Sequence, residues 1–267
     1  MRITTWNINS IRSRMGIVER FLQEVQPDIL CLQEIKCLND QFPSKLFTKL
    51  GYEHQAINGQ KAYHGVATVA RAPFVKTSIH DFCGRGDARH ISVTLENGTI
   101  LHNFYVPAGG DDPDPITNDK FAHKLAFVDE MAQFFSRKSK QSHIIVGDLN
   151  IAPLEHDVWS HKQLLKVVSH TPVEVEKLQL LMKKGKFVDV MRRLVPEDEK
   201  LYTWWSYRAK DWRASNRGRR LDHIWVTPPL EARAVAGGRP ALHIHDGARD
   251  WVKPSDHAPV TLDFGPA

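Results

Sequence analysis

Polar side chains able to hold a metal ion or to move protons stand beside apolar runs at several places in this sequence. They are Asn7, Glu34, Tyr105, Asp148, Asn150, Asp222, Asp256 and His257. Together they supply carboxylates, amides, a phenol and an imidazole, and the neighbouring apolar runs would fix their positions. Carboxylate and amide oxygens are the ligands that a hard cation such as Mg²⁺ prefers. The set therefore predicts a metal-assisted site.

Glu34 is the best-placed ligand for that cation, with Asn7 close by and Asp256 as a further candidate. The three cysteines form no C-x-x-C pair, and no cluster of cysteine and histidine indicates structural zinc. We expect these cysteines to be reduced thiols.

The stretch HIIVGDLNIAP at 143–153 places a carboxylate and an amide two positions apart after an apolar run. Its continuous β-branched residues are typical of a strand that is buried on both faces. If extended geometry continues past Gly147, Asp148 and Asn150 share one side of the strand and form part of a site. The alternative is ordinary turn chemistry, because Asp and Asn also cap helices and form local turns.

Apolar, β-rich runs and helical patterns alternate along the chain. The runs lie at 2–8, 28–33, 65–71, 90–95, 100–106, 143–148, 221–227 and 258–264. Apolar residues recur at helical spacing over 13–25, and helical patterns also cover 118–137 and 174–184. This organisation predicts α/β layers. Because no repeat and no long Pro/Gly/Ser-rich linker interrupts the chain, we expect one domain over 1–267.

The formal net charge of +5 is concentrated between positions 204 and 222. Arginines and a lysine in that segment outnumber its acidic residues, and tryptophans and a tyrosine lie between them. Such a mixture suits a polyanion whose phosphates need charge and whose bases or sugars need flat apolar surfaces. A solvated loop that covers nearby acidic surface is the alternative.

Seven motifs appear in one order along the whole chain: TWNINSIRSR, ILCLQEIK, NFYVPAGG, GDLNIAP, YTWWSYR, GRRLDHIWV and SDHAPV. This ordered set resembles the exonuclease III and AP endonuclease family of the endonuclease/exonuclease/phosphatase superfamily. The resemblance implies a DNase I-like fold, a four-layered α/β sandwich of two packed mixed β-sheets flanked by helices. It also implies that the site lies at one edge of the sheets.

Hydrolysis of a phosphodiester requires an activated water, neutralised phosphate oxygens and help for the leaving alkoxide. The resemblance implies that Asp148 activates the water and that Asn150 orients it. His257 would contact the scissile phosphate with Asp222 as its partner, and Tyr105 would contact the phosphate or help the leaving oxygen. A loop histidine satisfied by backbone is the alternative for His257. The implied ligands of Mg²⁺, or of Mn²⁺ as a substitute, are Asn7, Glu34, Asp148, Asn150, Asp256 and His257.

The resemblance also carries positions that contact DNA. Arg12, Tyr63 and the basic region after Trp205 would grip backbone phosphates. Trp204 and Leu221 match an apolar pocket that accepts a baseless sugar and excludes a normal nucleotide by shape. The implied DNA-binding residues are Arg12, Tyr63, Trp204, Arg208, Arg217, Arg219 and Leu221.

Two positions depart from the family pattern. Ala108 stands where the family commonly has an amide residue, which removes one phosphate contact. Arg219 stands where some relatives place an aromatic residue that lines the pocket. Both departures bear on the balance between incision at abasic sites and 3′→5′ exonuclease activity.

The resulting hypothesis is a Mg²⁺-dependent DNA-repair phosphodiesterase. It would cut double-stranded DNA 5′ to an abasic site, leave a 3′-hydroxyl, and trim damaged or blocked 3′ ends. The alternatives are a nucleic-acid-binding module without catalysis and a non-repair phosphodiesterase of the same fold. No segment approaches the ~20 apolar residues of a membrane span, and no secretory signal is evident. We therefore expect a cytoplasmic monomer without membrane association, at the nucleoid when acting.

Overall fold

The computed structural model describes residues 1–266; Ala267, the last residue of the predicted domain, lies outside them. The strands are β1 (Arg2–Asn7), β2 (Ile29–Gln33), β3 (His54–Asn58), β4 (Val66–Ala70), β5 (Lys76–Ser78), β6 (His90–Thr94), β7 (Ile100–Tyr105), β8 (His143–Asp148), β9 (Val188–Asp189), β10 (Trp204–Trp205), β11 (Gly218–Arg219), β12 (Asp222–Val226), β13 (Leu242–Ile244) and β14 (Val260–Asp263). The helices are α1 (Met15–Val25), α2 (Ser44–Lys49), α3 (Asp119–Phe135), α4 (His161–Leu164), α5 (Pro172–Gly185), α6 (Val190–Leu194), α7 (Trp212–Ser215) and α8 (Glu231–Val235).

Most strands form two mixed sheets. The first has the order β13-β14-β1-β2-β4-β3, and the second has the order β5-β6-β7-β8-β12-β9. β1 pairs parallel with β2, and β7 pairs parallel with β8. Consequently, the carboxyl ends of two neighbouring strands lie together at one edge of each sheet.

Packing of the two sheets against each other forms the central core. Side chains of both inner faces meet there, including Ile3 and Val260 from the first sheet and Ile144 and Ile224 from the second. Helix α1 covers the outer face of the first sheet, while α3 and α5 cover the outer face of the second. These layers confirm the predicted four-layered α/β sandwich.

Strand β8 shows why its sequence is apolar without alternation. Ile144 and Val146 lie in the core between the sheets, whereas Ile145 lies in the cluster beneath α3 and α5. Both faces of the strand are therefore buried, as its β-branched run predicts. Gly147 has a φ of 136°, and a Cβ atom there would collide with the carbonyl oxygen of Phe104. Glycine lets β8 approach β7 closely at this point.

Extended geometry continues past Gly147 for one residue only. β8 ends at Asp148, and Asn150 has a φ of 54° in the left-handed region. Asn150 adopts this conformation because its backbone N–H and its side-chain amide both donate to the Asp148 carboxylate. The turn interpretation is correct for the backbone, and it still brings both side chains to one place.

Candidate active site

The predicted polar residues converge where strands of both sheets end. Asn7, Tyr105 and Asp148 are the last residues of β1, β7 and β8, and Glu34 follows β2 directly. Asp222 begins β12, which runs antiparallel to β8 and places Asp222 opposite Asp148. A common edge of the sandwich thus gathers side chains that are far apart in the sequence.

Asn7 joins the two sheets at this edge. Its side-chain nitrogen donates to Glu34 Oε1 at 2.9 Å and to Asp148 Oδ2 at 2.9 Å. Its side-chain oxygen accepts a hydrogen bond from the backbone N–H of Asn9 at 3.0 Å. Asn7 is fully buried, so water does not compete for these bonds. The two bonds of its nitrogen therefore hold the two carboxylates at a fixed separation.

His257 lies between two buried carboxylates. Its Nδ1 is 2.8 Å from Asp222 Oδ2, and its Nε2 is 3.6 Å from Asp148 Oδ2. Potential ligand atoms of these three residues all lie within 4.8 Å of one another. Burial lowers the pKa of His257, but the charges of Asp222 and Asp148 outweigh burial and raise it to about 10. The ring is therefore an imidazolium at neutral pH.

Asp148 has a raised pKa, mainly because it is buried. Burial lifts the pKa to about 7 against the opposing charge of His257. Since the two groups interact strongly, they titrate as a pair. Asn150 fixes the carboxylate through its backbone N–H at 2.9 Å and its side-chain nitrogen at 3.2 Å. The result is an oriented buried carboxylate that can exchange a proton near neutral pH.

Tyr105 faces the same space with a protonated phenol. Burial raises its pKa well above the ordinary value, and the charges of Glu34 and Asp148 raise it further. The Arg89 guanidinium carbon lies 5.1 Å from the Tyr105 ring centroid and helps to fix the ring. Tyr105 can consequently act as a hydrogen-bond donor.

A cleft of about 910 Å³ opens in front of these groups. Its lining includes predicted site residues Glu34, Tyr105, Asp148, Asn150, Trp204, Arg208, Arg217, Arg219, Leu221, Asp256 and His257. Asn7 and Asp222 are fully buried, and they bond residues that do line it. Cations and aromatic rings therefore face the cleft together with the carboxylates.

Comparison with known proteins agrees with this geometry. The model of the Endonuclease/Exonuclease/phosphatase family matches residues 4–257. The chain belongs to this family. It is 32% identical over 278 residues to exodeoxyribonuclease III of Haemophilus influenzae, with 99% of this chain and 100% of the relative covered.

Two solved structures are similar to this chain. An AP endonuclease from Archaeoglobus fulgidus has a TM-score of 0.90 and 33% identity, with 99% of each chain covered. The 3′-5′ exonuclease NExo from Neisseria Meningitidis has a TM-score of 0.88 and 31% identity, with 100% of each chain covered. The predicted resemblance to the exonuclease III and AP endonuclease family is thus confirmed.

Nucleases of this family are metal-dependent, and the surroundings of Glu34 fit a hard cation. The Lys36 ammonium lies 2.8 Å from Glu34 Oε2 and 2.6 Å from Asn9 Oδ1, so oxygen atoms already hold a positive charge here. Asn9 also donates to Asp256 at 3.2 Å. The pKa of Glu34 is lowered because Lys36 and Asn7 outweigh its burial. Oxygen donors and ionised carboxylates are what Mg²⁺ requires.

Two predicted DNA-binding residues lie outside the cleft lining. Arg12 is exposed in the turn before α1, and Tyr63 is 67% exposed. The Tyr63 ring centroid is 6.0 Å from that of His64, which is itself 6.0 Å from the Tyr105 ring. Tyr63 therefore lies beside the Tyr105 end of the cleft.

Residues that support the site were not predicted. Lys124 is fully buried in α3 and donates to the carbonyl oxygen of Asn150 at 2.8 Å. The hydroxyl of Thr203 donates to Asp222 Oδ2 at 2.6 Å and accepts the Asp222 N–H at 3.1 Å. A lysine on the apolar face of a helical pattern was a detectable signal, whereas nothing around Thr203 marks it.

Proposed function

We propose that this protein is a Mg²⁺-dependent DNA-repair phosphodiesterase that cuts 5′ to abasic sites and removes nucleotides or blocking groups from 3′ ends. The observation that carries the proposal is the Asp148 carboxylate, oriented by Asn150 and flanked by His257, at the head of a cationic cleft. Two relatives that align over almost their whole length are named an exodeoxyribonuclease III and an AP endonuclease. Double-stranded DNA with abasic sites or damaged 3′ ends is the proposed substrate.

Asp148 accepts a proton from the attacking water. Its burial supports this role, because a carboxylate with a raised pKa is a stronger base than an exposed one. Asn150 bonds the Asp148 carboxylate, and its remaining side-chain oxygen can orient the water. Water and base are then held in one geometry before the reaction begins.

His257 binds a non-bridging oxygen of the scissile phosphate. Asp222 on Nδ1 keeps the ring oriented and charged, which leaves the Nε2–H as a cationic donor toward an anion. Because Asp222 occupies Nδ1, Nε2 is the ring atom that remains for the phosphate. Tyr105, as a neutral phenol, donates to the phosphate or to the leaving oxygen.

Glu34 and Asp256 are the proposed metal-holding carboxylates, with the amide oxygens of this cluster as further ligands. A bound Mg²⁺ would neutralise charge on the phosphate and on the leaving oxygen. Asn9 bridges the surroundings of both carboxylates, since its side chain contacts Lys36 and Asp256.

The cleft would bind DNA mainly through phosphate contacts. Arg208 and Arg217 line it as exposed cations, while Trp204 and Leu221 offer an apolar surface for a residue without a base. Selection by shape would then exclude an intact nucleotide.

The test is a gel assay on an end-labelled duplex with one central tetrahydrofuran residue, beside an undamaged duplex. We expect one product ending 5′ of the lesion with Mg²⁺ and none with EDTA. Shortening of the undamaged strand from its 3′ end would show the exonuclease activity. Binding without cleavage under Mg²⁺ and Mn²⁺ would contradict the proposal and would support a binding module.

A further inference from the structure

Arg219 places a cation in the wall of the cleft, beside the ring of Trp204. It ends β11 opposite Trp204, and its guanidinium carbon lies 5.2 Å from the Trp204 ring centroid. Its Nη1 donates to the carbonyl oxygen of Val168 at 3.1 Å and to Ser169 Oγ at 2.8 Å. These bonds fix the guanidinium in the pocket wall, next to Leu221.

The charge of Arg219 has no counter-ion. Among residues 1–266 it forms no ion pair, and its Nε is buried without a hydrogen-bond partner. Glu174 is the acidic group whose charge acts on Arg219, but other donors already bind it. The Lys124 ammonium lies 2.5 Å from the Glu174 carboxylate, which also accepts hydrogen bonds from Ser169 and Thr171. The adjacent Arg220 differs, because it is buried against both Asp157 and Asp189.

Arg219 is only partly exposed, and a partly desolvated guanidinium without an anion gains when a ligand supplies one. The two N–H donors of its Nη2 make no bond to the protein, and the side chain lines the cleft. Trp159, Trp204 and Leu221 line the same cleft with apolar and aromatic surface. This part of the cleft is therefore suited to a group that carries a carboxylate.

We propose that Arg219 binds a carboxylate on the group 3′ of the scissile phosphate, so that the enzyme prefers acidic 3′-blocking groups over neutral ones of equal size. The inference rests on the proposed function and names its substrate class. A 3′-phosphoglycolate end has this chemistry. Water adds to its phosphorus, the bond from phosphorus to the 3′ oxygen breaks, that oxygen gains a proton, and phosphoglycolate leaves.

The experiment compares two gapped duplexes that differ in one group. One carries a 3′-phosphoglycolate, and the other carries a 3′-phospho-2-hydroxyethyl group of similar size without the carboxylate. We expect wild type to have the higher kcat/KM on the glycolate, and we expect Arg219→Gln to lower the ratio about tenfold. That loss matches one hydrogen bond to a charged group. Arg219→Lys should keep most of the preference.

Arg217→Gln is the matched control, because Arg217 lines the same cleft and lies 4.7 Å from the Trp159 ring centroid. This variant should lower kcat/KM on both duplexes by the same factor, so the ratio of the two kcat/KM values should stay unchanged. An unchanged ratio in Arg219→Gln, or an equal loss in Arg219→Lys, would overturn the inference. A tetrahydrofuran duplex separates the two proposals: if wild type cuts it but shows no preference for glycolate, only this inference fails. If wild type cuts none of the duplexes, the proposed function fails.

Discussion

At the scale of single residues, the site depends on how burial and charge are balanced around Asp148. Burial alone would protonate the carboxylate, and the neighbouring His257 alone would keep it ionised. The two effects together leave the pKa of Asp148 at about 7, which suits a base that works at neutral pH. Asp222 makes this arrangement stable by giving His257 a second, closer carboxylate at 2.8 Å. Asp222 thus raises the pKa of His257, and the charge of His257 in turn lowers the pKa of Asp148.

Substituting Asp148→Asn should lower turnover on the tetrahydrofuran duplex at least about a thousandfold, because the amide cannot take a proton from water. The variant should still fold and bind DNA with an affinity close to wild type, since the side chain keeps its size, although one of its two acceptor positions becomes a donor. Single-turnover kinetics measure the loss, and fluorescence anisotropy measures binding. The control is Asp198→Asn, which changes an exposed carboxylate outside the cleft. This variant should keep the turnover and DNA affinity of wild type. Cleavage by Asp148→Asn at a rate near that of wild type would remove Asp148 from the proposed role.

At the scale of elements, neighbouring strands of the second sheet carry a row of buried histidines on their outer face. His90 Nε2 is 3.0 Å from His102 Nδ1, and His102 Nε2 is 3.0 Å from His143 Nδ1. At one end of the row, Gln141 Oε1 accepts a hydrogen bond from His143 Nε2. At the other end, the backbone N–H of His80 donates to His90 Nδ1. Every ring is satisfied when each is neutral and carries its proton on Nε2. The row therefore links β6, β7 and β8 only in its uncharged form.

This row predicts a loss of stability in mild acid. Burial lowers the pKa of His90 to about 3 and of His143 to about 4, and places that of His102 well below its ordinary value of 6.5. As pH falls from about 6.5 toward 4, the unfolded chain therefore binds protons that the folded chain does not. The free energy of unfolding should fall by about 1.4 kcal/mol per pH unit for each such histidine. Urea denaturation at several pH values measures the slope.

His102→Phe should make that slope shallower by about one histidine, whatever its effect on stability at pH 7. An equally steep slope in the variant would assign the acid sensitivity to other groups. A free energy of unfolding that stays constant from pH 6.5 to 4.5 in wild type would contradict the expectation.

At the scale of the whole molecule, the cleft combines two kinds of charge. Carboxylates and His257 lie where the two sheets meet, and arginines lie on the segment between β10 and β12. The positive segment would attract a polyanion by long-range forces, while the buried carboxylates act only at contact distance. One domain over the whole chain and a monomeric state both stay predictions. Among residues 1–266, no helix combines the length and apolar character needed to cross a membrane.

The distribution of cations predicts a strong dependence of DNA affinity on salt. Arg208→Gln should weaken binding to damaged and undamaged duplexes by the same factor, since phosphates carry no sequence information. The slope of log K against log salt concentration should become shallower by about 1. Arg239→Gln is the control, because that exposed arginine pairs with Glu199. A loss confined to the damaged duplex would instead place Arg208 at the lesion.

The sequence by itself determined the family, the layered fold and the set of polar residues that meets at the site. The β-branched runs and the helical spacing report burial and so predict α/β layers. The family and its sandwich fold follow from the resemblance carried by the seven ordered motifs. It did not reveal β3, β5, β9 and β13, which form the four edges of the two sheets. Edge strands are short or polar, so they lack the apolar signal of central strands.

Only the tertiary structure decided how these residues act on one another. The Asn7 amide between Glu34 and Asp148 depends on a contact between two sheets, and no spacing in the sequence encodes it. The unpaired charge of Arg219 likewise depends on which residues surround it and on which donors already occupy Glu174. Protonation and pairing are set by burial and by neighbours distant in the chain, and these exist only after folding.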